Sequence, residues 1–80
     1  MTTQVTSAYP TLRRGDTGEY VATVQRTLNV AINANLVVDS IFGSATEQAL
    51  RQFQRHEGLL EDGIVGSKTW SKLFEYSEGH

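Results

Sequence analysis

Two aspartates in matching surroundings are the first residues of this sequence that could do chemistry. Asp39 opens the segment Asp-Ser-Ile-Phe-Gly-Ser-Ala-Thr, and Asp62 opens Asp-Gly-Ile-Val-Gly-Ser-Lys-Thr, with five of the eight positions identical. Two carboxylates on either side of a glycan could act as the acid and base of a glycosidase. A repeat at a fixed spacing instead indicates one structural unit used twice. We therefore expect both aspartates to brace loops and not to catalyse.

The sequence offers few candidate residues for other kinds of catalysis. The chain has no cysteine, so a cysteine nucleophile is excluded, and it has two histidines, His56 and His80. A zinc site needs three or four convergent ligands, and no spacing in the sequence suggests such a set. We interpret His56 and Glu57 as a surface pair. We expect no catalytic residue, no metal and no cofactor.

Length and charge limit the partners. Eighty residues make one domain, and the net charge is −2 with an isoelectric point near 5.5. A nucleic-acid-binding module is normally basic, so we expect no nucleic-acid partner. No apolar run approaches the ~20 residues that cross a bilayer, and no basic-then-apolar leader opens the chain, so we expect neither a membrane partner nor a signal peptide. We expect a monomer.

Three amphipathic helices follow from the spacing of apolar residues. The first, of about ten residues, begins at an Asp16–Glu19 capping box, and the second begins near Ala45 at a Ser44–Glu47 capping box. Ser67 is predicted to cap a third helix of eight to ten residues. The fold class is therefore all-α: a small three-helix bundle with structured loops and two D-x-I-x-G-S-x-T loop–helix repeats.

The loops between these helices hold several predicted features. Asn33 and Asn35 are expected to turn the chain with positive φ, as is Gly43, and Gly58 is expected to end the second helix in a Schellman motif. The segment 36–38 is predicted to be extended and to pair with residues 64–65. The apolar pairs of the repeat, Ile41/Phe42 and Ile64/Val65, are predicted to anchor the loops in the core.

A set of polar residues is predicted to hold the two loops together. Gln25 and Gln54 each adjoin a core position, where a glutamine often satisfies loop carbonyls and amides. We assign a structural role to these residues of the motif: Gln25, Asp39, Gly43, Thr46, Gln54, Asp62, Gly66 and Thr69.

The ordered motifs together resemble the three-helix peptidoglycan-binding domain 1 family. The matching segments are Leu12-Arg-Arg-Gly-Asp-x-Gly18, Val21-x-x-Val-Gln-x-x-Leu-Asn29, Val38-Asp-x-Ile-Phe-Gly-x-x-Thr-x-x-Ala-Leu-x-x-Phe-Gln54 and Gly58-Leu-x-x-Asp-Gly-Ile-Val-Gly-x-x-Thr-Trp-x-x-Leu73. Ser40 stands where the family usually has glycine, so we expect this loop to be shaped differently. The family's usual glycine after the first helix is also missing, with Asn33 or Asn35 in its place.

The resemblance implies non-catalytic binding of bacterial peptidoglycan, through its glycan strand, its stem peptide or both. It also implies a covalently linked catalytic domain, as in autolysins and phage endolysins, and a location at the cell wall outside the cell. A protein–protein interaction module of the same fold is the alternative. A DNA-reading helix-turn-helix fits poorly, because about nine residues separate the second and third helices where that motif has three or four.

The candidate ligand contacts are exposed polar and aromatic residues on or near the first two helices: Arg13, Arg14, Tyr20, Arg26, Gln48, Arg51 and Gln52, with Arg55 beside them. For the arginines, an ordinary solvated surface is the alternative, and for Tyr20 a partly covered position over Leu12. Trp70 is expected in the core and not as a sugar platform. We predict an N-terminal arm over residues 1–11, the binding domain over 12–76 and a frayed tail over 77–80.

Overall fold

Three helices make up the regular structure of the chain. The computed structural model describes residues 9–77, with α1 spanning Glu19–Ile32, α2 Ser44–His56 and α3 Ser67–Ser77. Within this range there is no strand, only two isolated β-bridges, so the predicted all-α three-helix fold is confirmed. None of the three helices is long and apolar enough to cross a membrane. Residues 1–8 of the predicted arm and 78–80 of the predicted tail lie outside the described residues.

The core lies between α1 and the other two helices, both of which α1 contacts. Val24 and Leu28 of α1, Leu50 and Phe53 of α2 and Trp70 of α3 are buried. Burying each such side chain stabilises the fold by about 1.5–3 kcal/mol. Trp70 belongs to the core as predicted.

The segment before α1 packs onto the same core. The Trp70 indole N–H donates a hydrogen bond to the Pro10 carbonyl over 2.8 Å, and Tyr9 packs against the Trp70 ring with 5.0 Å between centroids. Leu12 is buried and exchanges two backbone hydrogen bonds with Val65, of 3.2 and 2.8 Å. Tyr9 and Pro10 therefore contact the body of the domain, although they belong to the segment predicted to be an arm.

The two predicted capping boxes are wrong. The N-cap residues of α1 and α2 are Gly18 and Gly43, and neither helix start has a side-chain cap hydrogen bond. Asp16 instead accepts a hydrogen bond from the Arg13 N–H over 2.9 Å, which closes the preceding turn. The Glu47 carboxylate is directed toward Arg14, 33 residues earlier in the chain. The carboxylates of Asp16 and Glu47 thus accept hydrogen bonds from arginine N–H groups and not from the helix N-termini.

Residues with positive φ shape both repeated loops. Asn33 (φ 57°) ends α1, which runs to Ile32 and is thus longer than predicted, and Asn35 has φ 63°, so this prediction for the two asparagines is confirmed. Gly43 has φ −104°, so positive φ was wrongly predicted there. Ser40 (φ 66°) is left-handed like Gly63 (φ 72°) in the second copy, so serine does not change the loop's φ at this position.

The C-terminus of α2 has the predicted Schellman ending. Gly58 has φ 74°, its N–H donates to the Arg55 carbonyl, and the Leu59 N–H donates to the Gln54 carbonyl over 2.8 Å. These are the two hydrogen bonds that define the motif. The chain therefore reverses sharply after α2 and enters the second loop.

The predicted pairing of residues 36–38 with 64–65 is wrong. Val65 pairs with Leu12, while Ile41 forms a bridge with Thr17. Leu36 is held by the Asn29 side chain, which donates to its carbonyl over 3.0 Å and accepts from its N–H over 2.6 Å. The backbone groups of Leu36 are thus satisfied by α1.

Candidate functional site

The side chain of Gln25 holds the first repeated loop in place by hydrogen bonds. Its side chain is buried, and its amide nitrogen donates to the Asp39 carboxylate (3.0 Å), the Ile41 carbonyl (3.0 Å) and the Thr46 hydroxyl (3.1 Å). Its carbonyl oxygen accepts from the N–H groups of Asp39 and Ser40 over 3.1 and 3.0 Å. One side chain from α1 therefore fixes the loop and the start of α2.

Gln54 holds the second loop in the same way. Its amide nitrogen donates to the Asp62 carboxylate, the Ile64 carbonyl and the Thr69 hydroxyl over 3.0, 3.0 and 3.2 Å, and its carbonyl accepts from the Gly63 N–H over 2.9 Å. The side chain of each aspartate also accepts from the backbone N–H two residues later, over 3.0 Å. The two loops thus have one hydrogen-bond design.

The Asp39 carboxyl is held in its ionised form. The hydrogen bond from Gln25, together with that from the Ile41 N–H, lowers its pKa. A general acid needs a raised pKa to be protonated near neutral pH. Asp39 is therefore suited to accepting hydrogen bonds in the loop and not to donating a proton to a leaving group.

The apolar pairs of the repeat divide between the core and the surface. Phe42 and Val65 are buried, whereas Ile41 is 55% exposed and Ile64 is half-buried. The prediction that both members of each pair anchor in the core is wrong, because neighbouring side chains of an extended segment point to opposite sides. The isoleucine of each pair therefore lies at the surface, and its partner lies in the core.

A groove lies over the first repeated loop, and we call it the first groove. It has a volume of about 590 Å³. Leu36, Val37 and Ile41 provide apolar lining, and Val37 is 76% exposed. The full lining is Gln25, Ala34, Asn35, Leu36, Val37, Asp39, Ile41, Gly43, Ser44, Ala45, Thr46, Gln48, Ala49 and Gln52. It joins exposed apolar side chains to several side-chain amides.

A smaller groove, the second groove, lies over the second loop. Its volume is about 420 Å³. Its lining is Gly58, Leu59, Leu60, Asp62, Ile64, Gly66, Ser67, Lys68 and Thr69. The repeated sequence therefore produces a repeated concave surface.

The predicted ligand contacts do not form one cluster. Gln48 and Gln52 both line the first groove. Arg14 and Arg51 meet at Glu47 instead, with nitrogen–oxygen distances of 3.4 and 3.9 Å. Arg51 also donates to the Glu61 carbonyl over 3.2 Å. These two arginines thus connect the turn before α1, helix α2 and the second loop.

Other predicted residues lie apart from the lining of either groove. Tyr20 is 46% exposed and packs edge-on against Tyr9 and Trp70, with centroid distances of 5.3 and 6.2 Å. Arg13 and Arg26 are exposed. Tyr20 therefore partly covers the aromatic cluster of the N-terminal segment and keeps almost half of its surface open to solvent.

An ion pair between Arg55 and Glu61 holds the segment that leads from α2 into the second loop. Arg55 donates two hydrogen bonds to the Glu61 carboxylate, of 3.2 and 2.8 Å. The hydrogen bond from Arg55 lowers the pKa of Glu61, and the same contact raises the pKa of Arg55. His56 and Glu57 are in contact over 3.2 Å, and Glu57 also accepts a 2.7 Å hydrogen bond from the Tyr76 hydroxyl.

The apolar wall of each groove was missed by the sequence reasoning. The repeat extends toward the N-terminus as Leu36/Leu59 and Val37/Leu60, both 23 positions apart. Leu60 and Val37 are among the most exposed large apolar residues of the described chain. The sequence signal for this wall was an apolar residue that recurs just before each loop, outside any helical pattern.

These features define a class of protein: a small three-helix domain with two loop–helix repeats, each framing a surface groove. The family model described as "Putative peptidoglycan binding domain" matches residues 17–73. That match covers most of the chain, and the chain belongs to this family of non-catalytic binding domains.

Individual relatives show the same domain within larger proteins. The Burkholderia AP3 phage endolysin has a TM-score of 0.76 and 52% identity, over 81% of this chain and 25% of that one. The SleB N-terminal domain has a TM-score of 0.79 and 38% identity, over 82% and 90%. A zinc D-Ala-D-Ala carboxypeptidase of Streptomyces albus G is 38% identical over 72 residues, 85% of this chain and 28% of the carboxypeptidase. The chain thus spans about a quarter of the endolysin and of the carboxypeptidase.

Proposed function

We propose that this chain binds bacterial peptidoglycan through the first groove and holds an attached catalytic domain at the cell wall. Family membership gives the class of ligand, and the groove gives the surface. The observation on which the location rests is the joining of an exposed apolar wall, Val37 and Ile41, to the amides of Gln48 and Gln52 in one concavity of about 590 Å³. The domain itself contributes affinity and not catalysis.

The chemistry of the groove matches that of the wall polymer. Peptidoglycan consists of N-acetylated amino sugars that carry short peptides, so its surface alternates methyl groups, amides and hydroxyls. Binding sites of this kind combine apolar walls with a few placed polar groups. Leu36 and Val37 can cover an acetyl methyl group or an apolar sugar face, while Gln48 and Gln52 each offer one amide donor group and one acceptor.

The remaining predicted contacts belong to a neighbouring surface. Arg14 and Arg51 are positioned by Glu47, and their remaining N–H groups can reach a ligand carboxylate. Tyr20, with Arg13 and Arg26, offers an exposed ring and two cations on the α1 side. We propose that these residues add secondary contacts, so replacing them weakens binding less than changing the groove.

The parent protein is proposed from the relatives. An endolysin and a carboxypeptidase contain this domain as about a quarter of their length. We therefore propose a cell-wall hydrolase as the covalent partner, acting outside the cell at the wall, and a monomeric binding domain. In this arrangement the domain raises the concentration of the catalytic domain at its substrate.

Sedimentation with insoluble purified sacculi tests the proposal. The wild-type chain is expected to pellet at low and moderate salt. A Gln48→Ala/Gln52→Ala variant is expected to bind about tenfold more weakly, because each lost neutral hydrogen bond costs about 0.5–1.5 kcal/mol. An Arg13→Ala/Arg14→Ala variant, made for comparison, is expected to lose less. A folded wild-type chain that stays in the supernatant at both salt concentrations would favour the protein-interaction alternative.

A further inference from the structure

The second groove repeats the part of the first groove that the loop provides. Every residue that lines it stands 23 positions after a residue that lines the first groove, from Asn35/Gly58 to Thr46/Thr69. Even the backbone agrees, since Asn35 and Gly58 have φ 63° and 74°. The same side-chain amide clamp lies beneath each loop. The fold therefore builds one kind of concave surface twice.

The second groove also keeps an exposed apolar wall. Leu60 is 79% exposed, at the position equivalent to Val37 at 76%. Ile64 lines the second groove as Ile41 lines the first. A single exposed apolar residue needs no explanation. The same exposed apolar position in two copies with different residues points to a shared use.

One position gives the second groove a different charge. Lys68 stands where the first groove has Ala45. The ion pairs formed within residues 9–77 use Arg14, Arg51, Arg55 and Lys72, and not Lys68. Asp39 accepts hydrogen bonds from the Gln25 side chain and the Ile41 N–H, and Asp62 accepts the equivalent two from Gln54 and Ile64. The lining of the second groove thus has one positive charge more than that of the first.

The second groove also lacks the amides of the first. The positions equivalent to Gln48 and Gln52 are Ser71 and Glu75, and neither lines the second groove. Neutral amide recognition therefore belongs to the first groove. An apolar wall beside a lysine ammonium is suited to a carboxylate that adjoins a small apolar side chain.

We propose that the second groove binds the carboxylate-bearing end of the short peptides of the wall. The Lys68 ammonium pairs with the carboxylate, and Leu60 and Ile64 contact the adjoining side chain. This inference rests on the proposed function, since it names which part of the wall polymer the second groove takes. The first groove then takes the neutral, amide-rich part.

Titration of the ¹⁵N-labelled chain with a soluble wall peptide, freed from its glycan, tests the inference. The peptide with free carboxylates is expected to shift the amide signals of Gly66, Ser67 and Lys68. The same peptide with its carboxyl groups amidated is expected to bind about fivefold more weakly, which corresponds to about 1 kcal/mol for one exposed ion pair. The binding of the free peptide is also expected to weaken with added salt.

Exchanging the one distinguishing residue provides matched variants. Lys68→Ala gives the second groove the residue of the first and is expected to abolish the preference for the free carboxylate. Ala45→Lys makes the reverse change and is expected to add carboxylate-dependent shifts at Ser44 and Thr46. Both positions are exposed, so both variants should fold.

The outcomes separate the two proposals. Equal binding of the free peptide by wild type and Lys68→Ala, shifts confined to the first groove, or no shifts at all would overturn the second-groove inference. Failure of the wild-type chain to pellet with sacculi, combined with Lys68-dependent peptide shifts, would overturn wall binding as the function and leave the carboxylate preference of the second groove standing.

Discussion

Replacing Gln25 by leucine should destabilise the domain by removing the clamp under the first loop. Leucine fills a similar volume but leaves the N–H groups of Asp39 and Ser40 and the Ile41 carbonyl without their side-chain partner. Each buried group left unsatisfied costs about 1–3 kcal/mol. Water can reach this loop on its outer side, so we take the lower end for each group and expect a loss of about 3 kcal/mol in the free energy of unfolding.

That loss is a large fraction of what an 80-residue domain has, about 4–12 kcal/mol in total. Urea unfolding followed by fluorescence measures it directly, because Trp70 is the one tryptophan of the chain and is buried. Gln48→Leu is the matched control, since Gln48 is exposed and its replacement should cost less than about 0.5 kcal/mol. A Gln25→Leu variant within 1 kcal/mol of wild type would refute the role of the clamp.

Two further predictions concern single residues of the fold. Ser40→Gly should stabilise the domain by about 0.5–1 kcal/mol, because the left-handed φ costs serine more free energy than glycine loses in additional conformational entropy on folding. Gly63→Ala should destabilise it by about 1–2 kcal/mol, because φ is 72° there and a Cβ would meet Arg51 and Glu47 at 3.2 Å; thermal unfolding checks both, and equal melting temperatures would contradict them. The hydrogen bond from Tyr76 lowers the pKa of Glu57, so its stabilisation is present above the ordinary glutamate pKa and is lost as pH falls through the lowered pKa of the folded state. Tyr76→Phe should therefore make the loss of stability in acid shallower, as measured by urea unfolding from pH 7 to pH 3, and an unchanged pH dependence would contradict this.

The fold was predictable because local signals agree with the global arrangement. Helical spacing, the asparagines after α1 and the Gly58 ending each depend on neighbours within a few residues. Asp16 of the first predicted capping box accepts from the nearby Arg13 N–H instead, whereas Glu47 of the second box contacts Arg14, 33 residues away. For Glu47, a short-range pattern cannot reveal a competing partner that only folding brings near.

The grooves were harder to predict for a geometric reason. Ile41 and Phe42 are both apolar, and the sequence does not say which of two adjacent extended residues faces the core. The fold decides this by pairing Ile41 with Thr17 and burying Phe42. Gln48 and Gln52 could be selected as exposed residues of α2, whereas the position of the apolar wall beside them depends on the path of the folded loop.

The most direct test of binding through the first groove compares two valines of almost equal exposure. Val37 lines the groove and is 76% exposed, whereas Val30 on α1 is 73% exposed and lines neither groove. In sedimentation with purified sacculi, Val37→Ser should bind about threefold to tenfold more weakly, for the loss of roughly 1 kcal/mol of apolar contact, while Val30→Ser should bind like wild type. Equal binding of the two variants, or a loss confined to Val30→Ser, would contradict the assignment of the ligand to this groove.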